Sequence, residues 1–116
     1  MTTTELSRAP EREAGKALLL AVRERLADEA RWTKGFAARD AAGDPTQCEK
    51  PDAACFCIVG AFWRESAKLN DIRASNAFAV RLGFGDWETL AEWNDAPERT
   101  HAEVLARLDA AIEATP

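Results

Sequence analysis

Apolar residues recur at helical spacing along most of the chain, and this periodicity predicts a protein built from helices. Near the end of the chain, Val104, Leu108 and Ile112 fall on one helical stripe. The start of the chain is polar and ends in Pro10, so we expect a disordered tail over residues 1–10 and one helical domain over 11–116. The predicted fold is all-α, a small bundle of about five helices at residues 11–30, 52–69, 72–82, 87–93 and 100–114.

Residue types that cap helices mark several of these ends. Asp71 and Asp86 stand directly before the third and fourth predicted helices, where an N-cap side chain is favoured. Thr100 precedes the last helix and Glu103 follows three residues later, which is the capping-box pattern. Gly83 stands where glycine commonly ends a helix, just after the third one.

The second predicted helix is apolar on every side, which is typical of a helix in the middle of a domain. Its most apolar part runs from Ala53 to Trp63. A buried strand is the alternative for Cys55–Val59, but the apolar positions continue as far as Leu69 at helical intervals, and this favours a helix.

The segment before it, residues 32–47, is interrupted by glycine and proline. Such residues punctuate regular structure, and Asp44-Pro45 favours a turn. We therefore expect a short helical turn around Phe36–Arg39, followed by an exposed loop through Cys48.

The composition narrows the possible partners and locations. With 20 acidic against 15 basic residues, the chain carries a net charge of −5, and its basic residues are scattered among acidic ones. Nucleic acid and anionic membrane surfaces are therefore not expected as partners. No apolar run approaches the ~20 residues that cross a bilayer, and no secretion signal is evident. Three cysteines, an odd number, suit a reduced cytoplasmic protein.

Three motifs resemble those of an uncharacterised bacterial and phage family, a domain of unknown function. They are W-x-x-G-x-x-A-R-D at 32–40, C-x-x-G-A at 57–61 and W-N-D-x-P-x-R-T-x-x-E-V at 93–104. The resemblance covers nearly the whole chain after residue 10, although Phe62 stands where leucine is common in the family. It supports the fold class and leaves the function open.

The first and third motifs suggest a binding module, because sites tend to lie on loops held by a rigid scaffold. In this hypothesis the tryptophan rings supply rigid contact area, while Arg39 and Arg99 recognise a carboxylate or a partner backbone. The partner would be a protein or a small carboxylate-bearing ligand, and a homodimer is also open. The expected site comprises Trp32, Arg39, Asp40, Trp93, Asn94, Asp95, Arg99 and His101.

A purely structural interpretation of the same residues is also available. Asn94 would end its helix in the left-handed conformation, and Arg99 would pair with Asp95 or Asp40. Thr100 would serve only as a helix cap.

The alternative from another functional class is a thiol-dependent hydrolase or acyl transferase. Cys57 would be its nucleophile, His101 its base and Asp95 the residue that orients the ring. The apolar surroundings of Cys57 count against this hypothesis, because they raise the pKa of a thiol.

No cofactor is predicted. A zinc site would have to use Cys48, Cys55, Cys57 and His101, whose spacing is not that of structural zinc sites, so no metal is expected. Gly83-Phe-Gly85 lacks the features of a phosphate-binding loop.

Overall fold

A computed structural model of the protein describes residues 15–116. Within this range the structure consists of five α-helices and a small three-stranded antiparallel sheet, so the fold is mostly helical α+β. The helices are α1 (15–25), α2 (Ile58–Ser66), α3 (Ile72–Arg81), α4 (Trp87–Asp95) and α5 (His101–Ala114). The strands are β1 (Ala38–Asp40), β2 (Pro45–Thr46) and β3 (Ala53–Phe56).

The sheet corrects the prediction of an all-α fold. Its strand order is β2-β1-β3, with Ala38 of β1 opposite Thr46 on one side and Phe56 on the other. The prediction of a helical turn around Phe36–Arg39 is wrong, because Ala38–Asp40 form strand β1. Residues 45–46, expected in an exposed loop, pair with β1 as strand β2.

The predicted helix over 52–69 is wrong at both ends, since the helix in this segment, α2, covers only Ile58–Ser66. Residues Ala53–Phe56 are strand β3, which overlaps the strand alternative for this segment, and helix α2 begins only at Ile58. Two features explain why this segment is a strand and the helix begins later. The backbone of β3 has hydrogen-bond partners in β1, and Cys57 caps the helix that follows. Tertiary pairing therefore overrides the local helical pattern of an alanine-rich segment.

The last three helices confirm the prediction, with ends that differ by at most two residues. Asp71, Asp86 and Thr100 are the N-caps of α3, α4 and α5, and the capping box between Thr100 and Glu103 is complete. Gly83 follows α3 with a positive φ of 94°, a conformation that suits glycine.

The first predicted helix falls partly outside the described residues. The tail 1–10 and the helix start at 11–14 lie outside residues 15–116. Where it is described, the helix ends at residue 25 instead of 30, and a 3-10 turn at Glu29–Arg31 follows, capped by the Asp28 side chain.

The core lies where the faces of the helices meet the inner face of the sheet. Phe62 of α2 stacks on Phe78 of α3, with ring centroids 4.4 Å apart. Leu19 and Val22 of α1, and Leu26 directly after it, are fully buried in the same core. Cys48, expected in an exposed loop, is only 1% exposed, so that part of the prediction is wrong.

The start of α2 lies directly against the segment that leads into β1. A Cβ atom placed on Gly60 would overlap the carbonyl oxygen of Ala37. The backbone amide of Cys57 donates to the same carbonyl at 3.2 Å. The close approach requires glycine at position 60 and fixes the segment 33–37, which forms one side of the candidate site.

Candidate functional site

Asn94 links the first and third motifs at the centre of the molecule. It lies within α4, is completely buried, and does not have the left-handed conformation suggested by its position in the sequence. Its Oδ1 accepts from the Trp32 indole N–H at 2.8 Å and from the backbone amide of Ile58 at 3.2 Å. Its Nδ2 donates to the carbonyl of Thr33 at 3.1 Å. Asn94 therefore holds three parts of the chain together and is not available to a ligand.

Asp95, the next residue, has one oxygen engaged and one free. Its Oδ1 accepts from the backbone amide of Gly35 and from the side chain of Asn94, both at 2.9 Å. Within residues 15–116 no hydrogen bond or ion pair engages Oδ2. The Lys34 ammonium, close in sequence to Gly35, donates instead to the carbonyls of Ala96 and Pro97. Asp95 is thus a fixed, exposed carboxylate with no cationic partner among these residues.

Asp95 lies at the edge of a small cavity with aromatic walls. The cavity has a volume of about 180 Å³. Trp63 and Trp87 form part of its wall, with ring centroids 5.7 Å apart and planes inclined at 56°. Its lining residues are Gly35, Phe36, Ala37, Cys57, Val59, Trp63, Trp87, Ala91 and Asp95.

Arg39 and Asp40, both predicted site residues, are engaged in local structure. The Arg39 guanidinium donates to the Thr33 hydroxyl and to the carbonyls of Lys34 and Gly43. Asp40 accepts from two backbone amides of the turn that follows β1. Each nitrogen of the Arg39 guanidinium therefore already has a partner.

The structural interpretation suggested that Arg99 pairs with Asp95 or Asp40, but it pairs with neither. It donates to the Trp93 carbonyl at 2.9 Å and to the Glu103 carboxylate at 3.1 Å, and its guanidinium lies 4.2 Å from the Trp93 ring centroid. Hydrogen bonds from Thr100, the backbone amide foremost, lower the pKa of Glu103. Arg99 thus closes the turn between α4 and α5.

A second cavity, of about 340 Å³, lies beside Trp93. Arg99 and Arg107 both line it, and the Arg107 guanidinium is 5.6 Å from the Trp93 ring centroid. Arg107 has no ion-pair partner among the described residues. Of the predicted site, Trp93 and Arg99 therefore face this cavity, while Asp95 faces the other.

His101 is the first residue of α5 and packs beside Trp32. Its ring centroid is 6.0 Å from that of Trp32. Its Nε2 lies 2.6 Å from the Leu26 carbonyl, which only accepts, so Nε2 carries the proton and donates. This bond ties α5 to the residue that follows α1.

Cys57 is the N-cap of α2, and its sulfur accepts from the Gly60 amide at 3.2 Å. Although it lines the same cavity as Asp95, burial raises the pKa of its thiol to about 11, and the nearby Asp95 charge acts in the same direction. In the described structure no hydrogen bond joins the Cys57 thiol to the His101 ring. Cys57 and Asp95 are therefore brought together, whereas His101 is bound elsewhere.

The three motifs thus meet in one structural unit. The first supplies Trp32 and Gly35, the second supplies Cys57 and Gly60, and the third supplies Asn94 and Asp95, which bond to the first. The result is a mostly helical domain with a small antiparallel sheet whose motif residues chiefly hold the fold together. The chain belongs to DUF6197, a family of unknown function whose pattern matches residues 10–114. No curated protein and no solved structure matches the chain.

Over residues 15–116, no group of three or more His, Cys, Asp or Glu side chains is placed to hold a metal ion. None of the helices in that range has the length and apolar character needed to cross a membrane.

The sequence interpretation missed the aromatic part of the Asp95 cavity. Trp63 and Trp87 were not among the predicted site residues, but both are only partly buried and line this cavity. A local signal was present: Trp87, Ala91 and Asp95 are spaced by four residues, so a helix places them on one face. The carboxylate and the indole therefore reach the same cavity.

Proposed function

We propose that this protein is a binding module that takes up an ammonium group in the cavity beside Asp95. The observation that carries the proposal is a fixed carboxylate, without an ionic partner in residues 15–116, at the edge of a cavity walled by two indoles. Indole faces attract cations, and a nearby carboxylate adds a direct charge–charge attraction.

The hydrogen bonds of Asp95 favour ammonium over guanidinium. Both bonds it accepts from described residues, from Gly35 and from Asn94, end on Oδ1, so within residues 15–116 Oδ2 is the oxygen left free. A guanidinium binds a carboxylate best through two parallel bonds to two oxygens, whereas an ammonium is a point charge that one oxygen satisfies.

The size of the cavity supports a ligand group of side-chain dimensions. A volume of about 180 Å³ is below the roughly 300–1,000 Å³ of pockets that enclose a whole drug-sized ligand. The end of a lysine side chain, or an alkylammonium ion of similar length, matches this space.

Binding is favoured over catalysis by the state of the thiol in the same cavity. Because burial raises the pKa of Cys57 to about 11, the thiol stays protonated near neutral pH and is a poor nucleophile. All three cysteines are free thiols, which suits the cytoplasmic location that we propose.

The test is a titration with n-butylammonium chloride at constant ionic strength, followed by the NMR signals of the Gly35 amide and the Trp63 indole N–H. We expect saturable shifts with a dissociation constant of tens of millimolar or weaker, since a partly exposed ion pair and one cation–π contact are each worth about 1 kcal/mol or less.

The matched variants are Asp95→Asn and Asp44→Asn, which remove the same charge at two exposed positions, of which only Asp95 lines the cavity. The asparagine side chain keeps an acceptor for the Gly35 amide, so the fold should be retained. We expect Asp95→Asn to weaken binding about fivefold and Asp44→Asn to leave it unchanged. Equal affinities for the wild-type protein and Asp95→Asn, or no saturable shift in the wild-type protein, would refute the proposal.

A second candidate is the carboxylate ligand expected from the sequence, now at the cavity beside Trp93. The observation that favours it is Arg107, which has no ion-pair partner in residues 15–116 and lines this cavity together with Arg99. Titration with glutarate should shift the Trp93 indole signal in the wild-type protein, and Arg107→Gln should abolish the shift. The control Arg73→Gln, at an exposed position away from this cavity, should not change it.

A further inference from the structure

Two more cavities adjoin the Asp95 cavity, and Trp63 lines all three. One, of about 190 Å³, is lined in part by Cys48, Glu49 and Leu69. The other, of about 210 Å³, is lined by Asn70, Ile72, Ser75 and both indoles. We call these three cavities together the Trp63 groove. The surface around Trp63 is therefore longer than a single ammonium group needs.

Exposed apolar side chains are concentrated along this groove. Among residues 15–116, five large apolar side chains are exposed, and Phe36, Leu69 and Ile72 of these line the groove. Ile72 is 66% exposed although it opens a helix that packs on the core. Clustered exposed apolar residues with a polar rim are typical of surfaces that bind another protein.

The charge of the groove has one sign. Its ionisable carboxylates are Asp95 and Glu49, and none of the described residues that line the three cavities is basic. Neither carboxylate forms an ion pair with another described residue. A ligand with positive charge and apolar groups would therefore complement the whole groove.

We infer that the Trp63 groove binds a lysine-bearing segment of a partner protein, with apolar side chains next to the lysine. The inference rests on the proposed function, because the lysine ammonium occupies the cavity beside Asp95. Apolar neighbours of the lysine cover Ile72 and Leu69, which a free alkylammonium ion would leave exposed to water.

The experiment compares two peptides of equal charge by the same NMR titration, Ac-Ala-Leu-Lys-Leu-Ala-NH2 and Ac-Ala-Ser-Lys-Ser-Ala-NH2. We expect the leucine-containing peptide to bind about tenfold more tightly, because the apolar flanks add burial along the groove. A third peptide with arginine in place of lysine should bind more weakly than the lysine peptide, since Asp95 offers one free oxygen.

Two variants on α3 separate the groove from the rest of the surface. Ile72→Ser should weaken binding of the leucine-containing peptide about fivefold and leave n-butylammonium binding unchanged. Val80→Ser is the matched control, since Val80 is 61% exposed on the same helix and does not line the groove. It should change neither affinity.

The possible outcomes distinguish this inference from the proposed function. If n-butylammonium binds in an Asp95-dependent manner but both peptides bind equally, the inference is overturned and the ammonium site stands. Equal effects of Ile72→Ser and Val80→Ser also overturn it. If neither the ion nor the peptides bind, both proposals fail together.

Discussion

The indole N–H of Trp32 donates to the Oδ1 of Asn94 at 2.8 Å, across 62 positions of the chain. Asn94 has no exposed surface, so its amide is satisfied entirely by protein groups. A buried polar group with all its partners specifies one arrangement of the chain, because every alternative leaves a donor or an acceptor unsatisfied. The bond therefore fixes how helix α4 sits against the segment before the sheet.

Asn94→Ala should strongly destabilise the protein. It leaves the Trp32 indole, the Ile58 amide and the Thr33 carbonyl without their partner, and we expect the free energy of unfolding to fall by about 3 kcal/mol. Urea denaturation measures the change. Gln47→Ala, at an exposed position, should change it by less than about 0.5 kcal/mol. A similar small loss for Asn94→Ala would contradict this account.

Gly60→Ala should destabilise the protein, whereas Gly85→Ala should not. In an open helix, alanine is favoured over glycine by about 1 kcal/mol, but at position 60 the new Cβ would overlap the Ala37 carbonyl. We expect Gly60→Ala to cost about 3 kcal/mol or to prevent folding. At Gly85 no atom lies within 4 Å of the added Cβ, and its φ is not positive, so alanine should be neutral or stabilising by up to about 1 kcal/mol. Thermal unfolding of both variants compares them directly.

The stability of the protein should fall at alkaline pH because of Cys57. Its thiol has a pKa of about 11 when folded, against an ordinary value of 9.0, so above pH 9 only the unfolded state loses the proton readily. The stabilisation is complete below pH 9 and is lost as the pH rises towards 11. At about pH 10.5 we expect a loss of about 2 kcal/mol relative to pH 8.

Cys57→Ser separates this effect from other groups that titrate in the same range. Serine is a favourable N-cap and does not ionise there, so the variant should keep the cap of α2 and lose only the Cys57 contribution. The difference between the two proteins in urea denaturation, measured at both pH values, gives that contribution. Identical pH profiles would show that Cys57 is not protected as described.

Alkylation with iodoacetamide should distinguish the three thiols. Cys57 and Cys48 are 7% and 1% exposed, and burial raises the pKa of both, whereas Cys55 is partly exposed on strand β3. In the folded protein near pH 7 we expect Cys55 to react at least about ten times faster than Cys57, as followed by peptide mass mapping. In urea all three should react alike. Rapid modification of Cys57 in the folded state would favour the thiol-enzyme hypothesis instead.

Helices α3, α4 and α5 were predictable from the sequence because their signals are local. An N-cap side chain, an apolar stripe and, for α3, a following glycine all lie within one segment, as in Asp71–Gly83. The sheet was not predictable in this way, since its strands have only two to four residues and obtain their partners from distant positions. Ala53–Phe56 has helical composition, and only pairing with β1 makes it a strand.

The candidate site was predicted in part. The third motif was expected to hold ligand-binding groups, but its buried asparagine and its arginine serve the fold, which leaves Asp95 as the accessible residue beside the aromatic cavity. Burial of Asn94 was foreseeable from its position four residues after Leu90, on the same buried stripe of α4. The sequence did not indicate that Trp63 lines this cavity, because its position there depends on how α2 and α4 pack.

Strand β2 has a consequence for how copies of the protein meet. It forms one border of the sheet, has only two residues, and begins with Pro45, which has no backbone N–H. A border of this kind offers almost no donors to an incoming strand, so it resists the strand-by-strand growth that leads to aggregation. Self-association by strand pairing at the β2 border is therefore disfavoured.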